Sequence, residues 1–106
     1  MVDQQKYLDG IHLQKYLNLI LLFVSKEITT EFFEKNFLAT RRNDPYWMSG
    51  SFENSISQIL DTFFLDVDDY VPDELRDGTN KLNINEKELL KRAKCTLDKL
   101  QNQINI

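Results

Sequence analysis

Asn85-Glu86-Lys87-Glu88-Leu89-Leu90-Lys91-Arg92-Ala93-Lys94-Cys95-Thr96-Leu97-Asp98-Lys99-Leu100 is the stretch on which the reading of this chain turns. Asn85 is a capping residue with a carboxylate, Glu88, three positions on, the pairing that satisfies orphan amides at a helix start reciprocally. Leu89, Ala93, Leu97, Leu100 and Ile104 then recur along one face. A helix with one apolar face must cover it, so the preceding segments are expected to supply matching stripes.

They do. From about Ile11 to Val24, the residues Leu13, Tyr16, Leu17, Ile20, Leu21 and Val24 recur at three- and four-residue steps, while Leu22 and Phe23 widen the stripe. The first ten residues are polar and read as a frayed end. After the short connection Ser25-Lys26-Glu27-Ile28, Thr29 caps a second helix with Glu31 in its first turn. Phe32, Phe33, Leu38 and Ala39, with Phe37 beside them, carry it inward. Arg41 and Arg42 close it, and Asn43-Asp44-Pro45 ends it, because the residue before a proline resists the helical region. A loop, Tyr46-Trp47-Met48-Ser49-Gly50, leads to Ser51 as cap of a third helix with the stripe Phe52, Ile56, Ile59, Leu60, Phe63, Phe64 and Val67. Pro72 lies beyond its end. Residues 73–84 are polar, with Asp77-Gly78 a turn and a short strand near Leu82 compatible with the pattern. The expected fold is all-α: an antiparallel four-helix bundle, with a short strand or irregular segment between helices 3 and 4.

With 106 residues, no internal repeat and no linker, one domain over residues 1–106 is expected. The apolar share of 42% and the charged share of 28% are those of an ordinary globular domain. A single cysteine excludes an internal disulfide. The start lacks a basic stretch leading into an apolar run, and the longest apolar run, residues 19–24, is far short of the roughly 20 residues of a membrane span. A cytoplasmic protein without a membrane partner is expected.

Catalytic groups are scarce. His12 is the one histidine and Cys95 the one cysteine, too few for zinc sites or for Cys–His and Ser–His pairs. His12 falls at a helix start, where a solvated or capping role is expected. Cys95 reads as a small, half-buried residue between Lys94 and Lys99. The acidic run from Asp66 superficially suggests a calcium loop, but such a loop needs glycine sixth and glutamate twelfth, and here these are Val71 and Asp77. No metal, no cofactor and no catalytic residue is assigned.

The net charge of −4 is local in origin. From Asp61 to Asp77 there are seven acids and one base, a segment charge of −6, so the rest of the chain sums to +2. The balance disfavours a direct grip on nucleic-acid phosphates. A charge run is usually a solvated face that aids solubility. Its functional reading is a decoy: carboxylates on and after one helix fit a basic cleft built for phosphates, and opposite fields speed association. Tyr46, Trp47, Phe52 and Tyr70 flank the segment; where exposed, such rings anchor interfaces, and where buried they close the ends of the fold. The basic face of the last helix (Lys87, Lys91, Arg92, Lys94, Lys99) reads as solvated.

Between Tyr16 and Leu100 the chain resembles the colicin D-type immunity proteins and the related immunity proteins of contact-dependent growth inhibition systems. The resemblance lies in Leu22-Phe23-Val24-Ser25-Lys26, Ile28-Thr29-Thr30-Glu31-Phe32-Phe33, Ile59-Leu60-Asp61-Thr62-Phe63-Phe64, Asp66-Val67-Asp68-Asp69-Tyr70-Val71-Pro72-Asp73 and Ile84-Asn85-Glu86-Lys87-Glu88-Leu89-Leu90, in that order and spacing. It implies a four-helix protein that blocks a toxin's active site. For the colicin D-like members it implies a transfer-RNA-cleaving nuclease whose positively charged cleft faces immunity acids. By position, Asp61, Asp66, Asp68, Asp69, Asp73 and Glu74 match that acidic stretch. With Tyr70 and Trp47 they form the candidate toxin-binding set. The competing classes are a helical adaptor or regulatory subunit using the same surface for an unrelated protein, a DNA-binding regulator using Arg41-Arg42 or the last helix, and an enzyme.

Overall fold

The computed structural model describes residues 4–71 and 84–104. Five helices occupy these residues: α1 (Gln4–Val24), α2 (Thr30–Arg42), α3 (Pro45–Met48), α4 (Asn54–Asp68) and α5 (Glu86–Ile104). Each of the four long helices packs against two others, α1 on α5 and α2, and α4 on α5 and α2, while the single turn of α3 leans on α2. The all-helical class matches the sequence expectation.

The core is aromatic at its centre. Phe37 on α2 meets Tyr16, Phe33, Trp47 and Phe63 with ring centroids 5.3–5.9 Å apart, and Phe23 stacks on Phe33 at 4.4 Å. Leu13, Ile20, Leu60, Leu89, Ala93 and Leu100 are wholly buried around these rings. Each large apolar side chain covered in this way contributes about 1.5–3 kcal/mol.

Several local expectations are corrected. The amino-terminal end is not frayed from residue 4 onward: Asp9 is wholly buried, accepting from the Gln5 amide (2.8 Å), the Tyr46 hydroxyl (2.6 Å) and the Glu53 amide (3.1 Å), and it ties the first turns of α1 down. His12 sits inside α1 and stacks on the Tyr46 ring, 3.9 Å between centroids. On α1 it is Phe23 that is buried, while Leu21 and Leu22 face out; on α2 Phe33 and Phe37 are buried and Phe32 is 52% exposed. The segment read as a loop at 46–50 contains α3, because Asp44 caps Tyr46 N–H at 3.0 Å and Pro45 has the fixed φ of a first helical residue. Gly50, with φ 73°, lets the chain turn away from it. Glu53, not Ser51, caps α4 by accepting from Ser55 N–H; the Ser51 hydroxyl is engaged with that of Ser49.

Other junctions behave as their sequences demand. Thr29 caps α2 through Phe32 N–H at 3.1 Å, and Asn85 caps α5 through Glu88 N–H at 2.9 Å, while the Glu88 carboxylate, expected to complete a reciprocal cap, accepts from Arg92 at 3.0 Å. α1 ends in a Schellman-type reversal, with Glu27 N–H donating to Leu22 C=O, Lys26 N–H to Phe23 C=O, and Lys26 left-handed at φ 62°. Between α4 and α5, the expected strand reduces among the described residues to one parallel bridge, Tyr70 to Ile84. Leu82, Pro72 and the Asp77-Gly78 turn lie outside the described residues.

Candidate functional site: an acidic end shared by three helices

The eight candidate residues do not stand together as one equivalent set. Asp73 and Glu74 lie outside the described residues. Trp47 is 4% exposed and Tyr70 5%, so both rings belong to the interior and neither is an exposed anchor. The physical reason is that each ring has a polar tip with a partner at the boundary: Trp47 Nε1–H donates to Asp61 Oδ1 at 3.0 Å, and the Tyr70 hydroxyl donates to Glu31 Oε1 at 3.4 Å.

Two of the acids have structural partners. Asp61 holds the Trp47 indole, and Asp66 accepts from the Arg92 guanidinium at 2.6 Å, which also reaches Glu88 at 3.0 Å. These bonds keep Arg92 protonated even more firmly than usual. Asp68 and Asp69 differ. Their side chains are exposed and hold no hydrogen bond or ion pair among the described residues.

Asp68 ends α4 and Asp69 caps it, where the negative pole of the helix dipole repels carboxylates, and the last turn has no basic residue to offset them. They are joined by acids that the sequence does not place there. Two backbone bonds, Val71 N–H to Ile84 C=O (3.1 Å) and Ile84 N–H to Asp69 C=O (3.2 Å), draw the start of α5 to the end of α4. Glu86 therefore lies near enough to act on the Tyr70 hydroxyl, whose ionisation is pushed up to about 12 by burial first, then by Glu31, Glu86 and Glu34. Burial, then the charges of Glu31 and Asp68, raise Glu34 above the usual carboxylate range. Three acids from two helices (Glu31 and Glu34 of α2, Glu86 of α5) thus act on the tip of one buried tyrosine, and Asp68 at the end of α4 acts in turn on Glu34. Glu31 was visible in the sequence only as a favourable first-turn charge and Glu86 as part of the last helix's start, and their convergence is a tertiary fact.

Apolar groups adjoin the cluster in sequence. Leu65, one turn before Asp68 and Asp69, is 58% exposed, and Phe32, next to Glu31, is 52% exposed. These side chains, rather than Trp47 and Tyr70, are the exposed hydrophobics beside the acids. Arg41 is spent on packing: its guanidinium lies 3.8 Å from the Phe64 ring centroid and 5.1 Å from that of Trp47, with Nε buried. That position withdraws it from the phosphate grip that a DNA-binding use of Arg41-Arg42 requires. Among the described residues no group of three His, Cys, Asp or Glu side chains is placed to hold a metal, and no helix is long and apolar enough to cross a membrane.

What the helices and the acid cluster define is a class: an all-α protein that presents carboxylates where α2, α4 and α5 converge. A family model narrows the class, since the one described as bacterial self-protective colicin-like immunity matches residues 11–100, most of the chain. The chain belongs to that family. Membership points to a toxin-inhibiting immunity protein whose partner is a toxin protein. No curated protein and no solved structure matches the chain.

Proposed function

We propose that the protein neutralises a cognate nuclease toxin, a transfer-RNA-cleaving domain of the colicin D kind, in the cytoplasm of the cell that makes it, by seating its acidic end in the toxin's basic cleft. The scaffold would be a single domain in which α1, α2, α4 and α5 form an antiparallel four-helix bundle. The observation that carries the reading is the placement of Asp68 and Asp69: exposed, unpaired among the described residues and at the helix end where their charge is disfavoured. Charges placed against the interests of folding suit a partner that supplies the missing cations.

In the complex, Asp68, Asp69, Glu34 and Glu86 pair with lysines or arginines that otherwise hold the RNA backbone, while Leu65 and Phe32 exclude water at the edge. Asp73 and Glu74 extend the same acidic segment. Rim pairs of this sort add little, whereas desolvated ones couple by about 1.5–7 kcal/mol. The test is co-purification with the product of the neighbouring reading frame, followed by RNA cleavage with and without this protein. Wild type should abolish cleavage, and Asp68→Lys/Asp69→Lys should fold normally yet fail to protect. Equal protection by the charge-reversed variant would refute the assignment of the site.

A further inference from the structure

The opposite charge is concentrated in a second place. Between α4 and α5 runs a groove of about 290 Å³, its α4 wall formed by Ser55, Gln58, Ile59, Thr62 and Asp66 and its α5 wall by Lys91, Arg92, Cys95, Thr96 and Lys99. The α4 residues stand one turn apart along about 17 Å of helix. Small and polar side chains there leave a furrow in place of a packed ridge. Arg92 is bound to Asp66 and Glu88 at one end, so its charge is largely answered. Lys91 and Lys99 are exposed and form no ion pair among the described residues, and the Ser55, Gln58 and Thr62 side chains make no hydrogen bond there.

We propose that this groove is a docking site for an extended, acidic polypeptide segment, with carboxylates four residues apart. Lys91 and Lys99 are eight residues apart on one helix, about 12 Å along its axis. An extended chain advances about 3.3 Å per residue, so side chains at positions i and i+4 are separated by about 13 Å. The free hydroxyls and amide on the α4 side supply donors and acceptors for the segment's backbone, and Ile59 and Cys95 give its apolar side chains a surface. A nucleic-acid occupant is disfavoured by the protein's net charge of −4 and by Asp66 in the groove wall. The groove serves in this way whether or not the acidic end of the molecule holds a nuclease.

Cys95 provides the readout, since it is exposed, is the chain's one cysteine and lines the groove. The probe is a hexapeptide with aspartates at its first and fifth positions among serine and valine, with an asparagine-substituted peptide as control. In low salt the aspartate peptide should slow alkylation of Cys95 by iodoacetamide at least threefold, and should shift the amide resonances of Ser55, Thr62, Lys91 and Lys99. The control peptide should do neither. Lys91→Glu/Lys99→Glu should weaken protection at least tenfold, and Lys91→Gln/Lys99→Gln should fall between, with unchanged thermal melting in both. Absence of protection, equal protection by the control peptide, undiminished protection in the glutamate variant, or stronger protection by a short oligonucleotide would each overturn the proposal.

Discussion

Removing the Asp44 carboxylate should unfold the protein more readily than any surface change, and the structure gives the size. The Tyr16 hydroxyl is wholly buried and donates to Asp44 Oδ2 at 2.6 Å; Lys15 Nζ reaches the same oxygen at 3.1 Å, and Tyr46 N–H donates to Oδ1 at 3.0 Å. Asp44→Ala strands the buried hydroxyl, a penalty of about 1–3 kcal/mol, and deletes the cap of α3, about 1 kcal/mol more. A loss of about 2–4 kcal/mol is expected, read as a lower guanidinium midpoint at constant slope and a melting temperature down by about 8–16 °C. Tyr16→Phe removes the donor but leaves Asp44 with two partners, so it should lose only about 2 kcal/mol. In the double variant no hydroxyl is stranded, and the loss should fall about 1.5 kcal/mol short of the sum. Additive losses would refute the argument that the orphaned hydroxyl dominates. Burial opposes the charge on Asp44, but the bonds from Tyr16, Lys15 and Tyr46 outweigh it and hold its pKa below the ordinary value of 3.8. Its stabilisation is therefore present above that value and lost as pH falls through the folded-state pKa, and Asp44→Asn should flatten the acid limb of the stability profile.

Three further outcomes are expected. Lys26→Gly relieves a left-handed φ of 62° and should stabilise by up to about 1 kcal/mol by thermal denaturation, with no change in toxin binding. Glu34 has its pKa raised, so its ionised form opposes folding: Glu34→Gln should melt a few degrees higher at neutral pH, a gain below about 1 kcal/mol that vanishes below pH 4, while binding the toxin more weakly. In alkali, Tyr46 and Tyr70, each shifted from 10.0 to about 12, stabilise fully below pH 10 and progressively less as pH rises towards 12. Tyr70→Phe should lose less stability over that interval than wild type.

The helices were legible where an apolar stripe and a cap coincided. Leu89, Ala93 and Leu100, with Asn85 before them, could be read directly, as could Ile56, Leu60, Phe63 and Val67. α1 was legible as a helix but not in orientation, because apolar residues surround it: Leu21 and Phe23 are equally hydrophobic by sequence, and only packing decides which is buried. α3 was missed because a one-turn helix has no period; its signal was Asp44-Pro45, a cap followed by a first-turn proline. The acidic end was legible in part. Composition located Asp68 and Asp69, but local sequence gives no hint that Glu31, Glu34 and Glu86 come near them, since Glu31 and Glu34 arrive with the packing of α2 on α4, and Glu86 with a bridge between residues fourteen apart, Tyr70 and Ile84. For Trp47 and Tyr70 the sequence left open whether the rings anchor an interface or close the ends of the fold; both are buried, and the neighbouring carboxylates of Asp61 and Glu31 receive their polar tips.

Trp47 is the chain's one tryptophan, and its indole lies between the Arg41 cation on its face and the Asp61 carboxylate on its nitrogen. Its excited state is therefore set in a strong local field whose negative pole is a side chain of the acidic segment. Anything that draws Asp61 away alters the colour and yield of the emission without disturbing the interior. The molecule thus carries an intrinsic, label-free optical gauge at the boundary between its core and its charged exterior.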